Sequence, residues 1–246
     1  IVSIGADFLN TWGNSEEFTK AYASRRTVSA DHTEMNRHVQ IEAMPSLTGA
    51  NADRRVIVRP SEEDMAVLRL YNLVARATGG QTLSDDSGFE NPALEETAQE
   101  LLNARGRSLV VSGSRSKEAQ MLVAGINDML GNYEKTLSIE RPAYYKQGVD
   151  SDVFGLLDEM NAGRVKALIV MDANPSFTLG AAFDEALANV DTTVSLSERI
   201  NETTAKVQYL APDHHWLESW NDAIPKAGVL ATAQPTIAPL FTTRQA

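Results

Sequence analysis

The chain has 246 residues, enough for one large domain or for two smaller ones that share a core. Its 43% hydrophobic and 22% charged content is ordinary for a globular protein, no apolar run is long enough to span a bilayer, and the absence of cysteine excludes disulfides, thiolate catalysis and cysteine-held iron–sulfur clusters within these residues. A formal charge of −11 argues against a nucleic-acid surface and reads as a solvated acidic exterior.

The opening "IVSIGAD" reads as a strand over residues 1–4, with no initiator methionine or targeting segment before it, and the chain stops on "TTRQA"; the expectation is a piece of a longer polypeptide. A second strand is expected over 39–41. Ser61, with Asp64 three residues on, is expected to cap a helix in which Val67, Leu70, Tyr71 and Val74 follow the i, i+3, i+4, i+7 rule and which Gly79-Gly80 closes. Leu94, Ala98, Leu101 and Leu102 form a second stripe, begun after Asn91-Pro92 and ended at Gly106. A strand over 109–111 follows, then a third stripe of Ala119, Leu122, Val123, Ile126, Met129 and Leu130, stopped by Gly131. Val153, Leu156, Leu157 and Met160 form a fourth, with Ser151 expected as its cap and Gly163 as its end. The last two strands are expected over 168–171 and 194–196.

Strands alternating with helices imply right-handed crossovers and a mainly parallel sheet, so the fold class is α/β. A weak internal repeat is visible as well. "VSIGADF" and "IVMDANP" are both strands ending in alanine plus an acid or amide, each followed by a helix and a second strand, "HVQIEA" or "TTVSLS". Each second strand leads into a loop with threonine and alanine and an extended segment ending in proline, "TGANADRRVIVRP" and "TTAKVQYLAP". The expectation is two related, doubly wound units facing one another across a crevice between strand ends. The first spans 1–105 and is open to completion by upstream chain or by the last segment. The second spans 106–212, and 213–246 forms an extended, proline-rich arm lying over another surface.

Ligands of open α/β sheets sit beyond the carboxyl ends of the strands, which points to Asp172, Ala173, Asn174 and Pro175; the plainer reading is that Asn-Pro begins a turn. "VVSGSRS" puts Ser112 and Gly113 before a helix, as a phosphate-binding turn would, but it lacks both the Gly-x-Gly-x-x-Gly and the Gly-Lys-Ser/Thr patterns, so a βα turn with serine caps is favoured. The histidines are His32, His38, His214 and His215, and none has metal-ligand spacing. With Trp216 and Trp220, "HHWLESW" reads as packing or interface. Asp213 and Glu218 are acids without a nucleophile to serve, and no Ser/His/Asp constellation emerges.

The succession "IVSIGADFLNTW", "VQIEAMPSLTGANADRRVIVRPSEED", "INDMLGNYEKT", "ALIVMDANPSFT", "SLSERINETTAKVQYLAPDHHWLESW" and "QPTIAPLFTTRQ" resembles the molybdopterin oxidoreductase superfamily over essentially the whole chain. "MPSLTGANAD", "LAPDHHWLESW" and "QPTIAPLFTTRQ" are most similar to the iron–sulfur subunit of bacterial alternative complex III. The resemblance implies two related α/β domains. In cofactor-bearing relatives a bis-pterin guanine dinucleotide lies in the crevice, and the equivalent positions here are Gly5, Ala6, Asp7, Glu42, Ser61, Asp64, Ser112, Gly113, Asp172 and Asn174. Three departures stand out: Asp172 replaces the glycine of Gly-x-Asn-Pro, Ser61 follows Arg59-Pro60 where glycine is usual, and Gln208 stands where an acid is usual. A pyrophosphate needs the close backbone approach that glycine allows, and an added carboxylate repels it.

Two functions are expected on this basis. In the first, the chain is a non-catalytic scaffold domain of the iron–sulfur subunit of a respiratory quinol-oxidising complex. It has no cofactor or metal of its own and its crevice is vestigial. The clusters, [4Fe-4S] and [3Fe-4S], would then lie in a downstream cysteine-rich module of the same polypeptide, with cytochrome c-type and quinol-binding membrane subunits as partners on the periplasmic side of the bacterial inner membrane. In the second, the chain is the pterin-binding part of an active molybdopterin oxidoreductase acting on a small oxyanion or sulfur compound.

Overall fold

A computed structural model describes residues 1–31, 33–144 and 147–246, so His32 lies outside the described residues. The chain divides into two compact units, Ile1–Glu140 and Arg141–Ala246.

The first unit holds β1 (Val2–Ile4), α1 (Ser15–Ser24), β2 (Val39–Glu42), α2 (Leu47–Ala50), β3 (Arg54–Ile57), α3 (Glu63–Thr78), α4 (Pro92–Asn103), β4 (Val110–Ser112) and α5 (Lys117–Met129). Its sheet is parallel throughout, in the order β3-β2-β1-β4. Alternate residues point to opposite faces, so the register rows Val2–Val39 and Ile4–Ile41–Val56 share one face. The helical stripes pack there: Val67, Leu70 and Val74 of α3, Leu94, Ala98 and Leu101 of α4, and Ala119, Val123 and Ile126 of α5 form one buried core with those strand residues. Ser3, Gln40 and Glu42 point the other way and are buried in a hydrogen-bonded polar layer.

The unit boundary falls further along the chain than the expected 105. β4 pairs with β1 rather than opening a second sheet, so residues 106–140 belong to the first unit. Two helix starts also differ. Ser61 lies inside a 3-10 turn, Pro60–Glu62, whose box is closed by the Glu62 side chain accepting from the Arg59 N–H (2.8 Å), and α3 begins after it. Proline fixes the backbone for that turn and leaves no place for a serine cap. Asn91 and Ser116 do cap α4 and α5, accepting from Ala93 N–H (3.0 Å) and Ala119 N–H (3.1 Å).

The second unit holds α6 (Asp150–Asn161), β5 (Ala167–Val170), α7 (Pro175–Thr178), α8 (Ala181–Leu187), β6 (Thr192–Ser195), β7 (Tyr209–Leu210) and a hairpin of β8 (Asn221–Lys226) and β9 (Val229–Ala233). Ser151 lies within α6, which starts one residue earlier and has no side-chain cap. β5, β6 and β7 form a parallel sheet in that order, and Leu157, Met160, Phe183 and Leu187 form a small core to which Leu168 of β5 adds. The segment expected as an extended arm folds in part into the antiparallel β8–β9 ribbon.

The repeat has a structural counterpart. β1-β2-β3 and β5-β6-β7 have the same order and direction, and their registers correspond: Val2↔Val39↔Arg54 in one unit, Ile169↔Val194↔Tyr209 in the other. Each third strand is followed by a 3-10 turn boxed by a glutamate, Pro60–Glu62 and Trp216–Glu218.

Candidate functional site

The loops after β1 and β5 carry the sequence-derived candidates, and each is held by the same clasp. Asp7 Oδ1 accepts from the Thr48 N–H (3.0 Å) and hydroxyl (2.7 Å), while the Thr48 hydroxyl oxygen accepts from the Leu9 N–H (3.0 Å). Asn174 Oδ1 accepts from the Thr203 N–H (3.2 Å) and hydroxyl (2.7 Å), and the Thr203 oxygen accepts from the Ser176 N–H (3.0 Å). The backbone repeats as well, with Thr11 N–H on Asp7 C=O (2.9 Å) and Thr178 N–H on Asn174 C=O (3.1 Å). Both threonines are fully buried. Only the outer atom differs in polarity: Asp7 Oδ2 accepts from Asn10 (3.1 Å), whereas Asn174 Nδ2 donates to Glu202 (2.6 Å).

The residue two before each clasp makes the turn possible. Gly5 has φ +59°, and Asp172 at the corresponding place has φ +51°. This left-handed conformation is free for glycine and unfavourable for an ordinary L-residue, with aspartate among the better tolerated. Asp172 therefore keeps the shape of a glycine turn and adds a carboxylate to it.

Beyond β1 and β2 lies a cleft of about 410 Å³, lined by Gly5, Asp7, Asn10, Gln40, Glu42, Ser46 and Glu63 among others, with no lysine or arginine. Glu42 is buried and saturated: Arg55 Nε (2.5 Å), the Ser46 hydroxyl (2.5 Å) and Gln40 Nε2 (3.2 Å) all donate to it. A buried carboxylate so partnered orders the loop around it. A methyl group on Gly49 would sit 2.0 Å from Glu42 Oε1. Glu63, from the first turn of α3, accepts from the Ala43 N–H (3.0 Å) and fills the space beside Gly5, where a Cβ would lie 2.6 Å from Glu63 Oε2. Burial pushes the Asp7 carboxyl up, but the Thr48 and Asn10 hydrogen bonds outweigh it and hold it below the usual range, so Asp7 is an anion.

Gly113 packs on the Gly5 carbonyl, where a Cβ would come within 2.1 Å. The turn that follows is closed by its own serines: Ser112 accepts from the Ser114 N–H (3.1 Å) and Ser114 from the Ser116 N–H (3.1 Å). Ser61 and Asp64 do not line the cleft, and Ala6 is buried beneath it. Gly5, Asp7 and Glu42 are thus brought together. Glu63 escaped the sequence reading, although "SEED" at the start of a helix beside a strand end was a signal for it.

The second unit has its own cleft, about 620 Å³, lined by Asp172, Glu198, Asp213, His214, His215, Trp216, Trp220 and Asp222 among others, again without lysine or arginine. Asn174 lies outside it, engaged in its clasp. His214 Nδ1 meets the Thr243 hydroxyl (2.6 Å), His215 Nδ1 accepts from the Leu217 N–H (3.3 Å), and buried Glu218 accepts from the Leu240 N–H (3.0 Å), so this cluster holds the C-terminal segment in place. Gln208, at the third departure, donates to Asp191 C=O (3.0 Å). Among the described residues no group of three or more histidines and acids is arranged to hold a metal, and no helix is long and apolar enough to cross a membrane.

These clefts do not fit a nucleotide pyrophosphate. The room that glycine leaves at residue 5 is taken by Glu63, position 172 carries a carboxylate on a glycine-type turn, and neither lining offers a lysine or arginine. Nor can these residues ligate an iron–sulfur cluster through cysteine, having none.

No protein-family model matches the chain. It is similar over its whole length to the menaquinone reductase, molybdopterin-binding-like subunit of Nitratidesulfovibrio vulgaris (strain Hildenborough), at 26% identity over 288 aligned positions. The match takes up 41% of that relative, so the chain spans under half its length. This distant similarity supports a molybdopterin-oxidoreductase-like relationship.

Proposed function

We propose that this chain is a non-catalytic, molybdopterin-oxidoreductase-like scaffold domain of the iron–sulfur electron-transfer subunit of a respiratory quinol:electron-acceptor oxidoreductase of the alternative complex III kind. The observation that carries this reading is the acidic lining of the strand-end cleft: Glu63 fills the room beside Gly5, and Asp7 and Glu63 present carboxylates where a dinucleotide pyrophosphate would need positive charge. Two like charges about 4 Å apart repel by roughly 1 kcal/mol in water and by about 4 kcal/mol near a protein surface, and a pyrophosphate would face both carboxylates at once. The relative's name, a molybdopterin-binding-like subunit of a menaquinone reductase, supports membership of a multi-subunit electron-transfer complex.

In this reading the chain's own residues give shape. The clasps at Asp7 and Asn174 keep the strand-end loops rigid, and the surfaces they hold out serve assembly. The [4Fe-4S] and [3Fe-4S] clusters belong to a cysteine-rich module of the same polypeptide outside these residues. The neighbours are cytochrome c-type and quinol-binding membrane subunits, on the periplasmic side of the inner membrane.

Metal and nucleotide analysis of the purified complex tests this. Iron without molybdenum, and no guanine nucleotide on acid release, is the expected result. Molybdenum with guanine nucleotide at one or more per chain would overturn it in favour of an active pterin enzyme.

A further inference from the structure

The face of the first sheet turned away from the large core is thinly covered. Alternation along the strands puts Ser3 of β1, Val111 of β4 and the preceding Leu109 on that side, and Leu109 and Val111 are only half-buried. The helix on this side is α1, whose Tyr22 ring meets His38 at 5.6 Å, yet α1 has no buried residue of its own. Between α1 and the strand residues lies a cavity of about 300 Å³ with an almost wholly apolar lining.

Its wall is aromatic. Phe8, Trp12, Phe18 and Tyr22 meet edge to face, with ring centres 6.4 Å (Phe8–Trp12), 6.1 Å (Trp12–Phe18) and 5.9 Å (Phe8–Tyr22) apart. Rings at such angles offer an entering ring both faces and edges. The Tyr22 hydroxyl donates to the Asn51 C=O (2.8 Å) and lies 3.0 Å from His38 Nδ1, so Tyr22 gives the cavity its ring and not its polar end. The free polar groups of the lining belong to two exposed residues, Arg25 and Asn36, joined by the Asn36 N–H on the Arg25 C=O (3.1 Å). Among the described residues neither side chain has a hydrogen-bond or ion-pair partner. The charge is the reverse of that in the strand-end clefts: in a chain of net charge −11, this lining holds an arginine and no aspartate or glutamate.

We propose that this cavity binds a small planar aromatic acid, with its ring among Phe8, Trp12, Phe18 and Tyr22 and its carboxylate at Arg25 and Asn36. Ligand sites are mostly apolar hollows with a few convergent polar groups, and this volume, at the lower end of their range, suits one ring or two fused rings. Charge complementarity selects the acid, since an unpaired guanidinium presents a fork of donors that matches a carboxylate, and the Asn36 amide adds a further N–H. The cavity shares no lining residue with either strand-end cleft, so this inference holds or fails independently of the scaffold reading.

Calorimetry on the full product of the gene tests it, with indole-3-acetate as the probe. Saturable binding at one per chain is expected, with a dissociation constant of about 1 mM or tighter. Indole-3-acetamide has the same ring without the charge and is expected to bind about fivefold more weakly, a comparison that needs no variant. Arg25→Gln should remove that difference, and Ala21→Trp, which places a ring in the cavity from α1, should abolish binding of both compounds while the thermal unfolding temperature stays unchanged. No saturable binding, equal affinity for acid and amide, or binding undiminished by Ala21→Trp would overturn the proposal.

Discussion

The two units carry the same strand-end clasp on sheets of the same order, yet one has a full hydrophobic layer over its β1 face and the other does not. In the first unit, α3, α4 and α5 bury Val2, Ile4, Val39 and Ile41. In the second, Ile169 and Met171, at the places of Val2 and Ile4, are exposed and Val194 and Leu196 are half-buried, and the core is a small cluster of α6 and α8 joined by Leu168. Loop shape and core size are therefore set by different interactions: the clasp survives on either scaffold because its bonds join only the two strand-end loops and none reaches the helical layer.

The widest gap between the units should appear in their cores. Leu70→Ala removes a fully buried side chain from the larger core and should cost about 2–5 kcal/mol, whereas Ile169→Ala removes an exposed one and should change stability by under about 0.5 kcal/mol. Urea unfolding of the 246-residue chain checks this, and similar losses for both would show that β5 is covered after all.

Acid should also separate the units. His38 is buried in the first unit, and burial above all lowers its pKa to about 4. The folded state disfavours the protonated ring, so below the ordinary value of 6.5 the unfolded chain takes up the proton first. The contribution of His38 is complete above pH 6.5, falls as the pH drops, and is lost by about pH 4. Over that window it amounts to about 3 kcal/mol at most. His38→Gln should flatten the dependence of stability on pH between about 5 and 6.5; an unchanged slope would remove His38 as its source.

Breaking each clasp compares a charged version with a neutral one. Thr48→Val leaves the Leu9 N–H and the Asp7 carboxylate short of a partner, and Thr203→Val does the same to the Ser176 N–H and the Asn174 amide. Losses of about 1–3 kcal/mol are expected, larger at Thr48, where the bond is to a charge. Thermal unfolding with hydrogen exchange at Leu9 and Ser176 would read both. The smallest effect belongs to the turn. Asp172→Gly should stabilise by about 0.5–1 kcal/mol by relieving a positive φ, while Gly5→Ala should destabilise through its φ and its collision with Glu63. A loss of stability in Asp172→Gly would mean that the carboxylate itself holds the loop.

Much of this was legible in the residues. Apolar periodicity placed the stripes of α3 to α5 because each has a single face to bury, whereas of the α6 stripe only Leu157 and Met160 are buried and Val153 and Leu156 are exposed; the alternation of strands and helices implied the parallel sheets. The repeat was visible as two strands ending in alanine plus an acid or amide, and "TGAN" and "TTAK" held the two clasp threonines. What could not be read was which pairs would bond across the loops: Asp7 reaches Thr48, 41 residues on, and sequence spacing says nothing about that distance. The assignment of residues 106–140 failed for the same reason, since only the pairing of Val110–Ser112 with β1 decides to which sheet that strand belongs. Glu63 was overlooked because an acid in a first helical turn is ordinary; its place beside Gly5 depends on the angle at which α3 leaves its 3-10 turn.

The clasp has a consequence for how such a domain changes over generations. A loop shaped by its ligand collapses when the ligand is lost, and selection then removes the gene or repairs the site. A loop shaped by Thr48 or Thr203 keeps its form with nothing bound. Exchanges at neighbouring lining positions such as Asp172 or Glu63 can then alter the charge of the cleft without undoing the loop, so shape and lining vary separately.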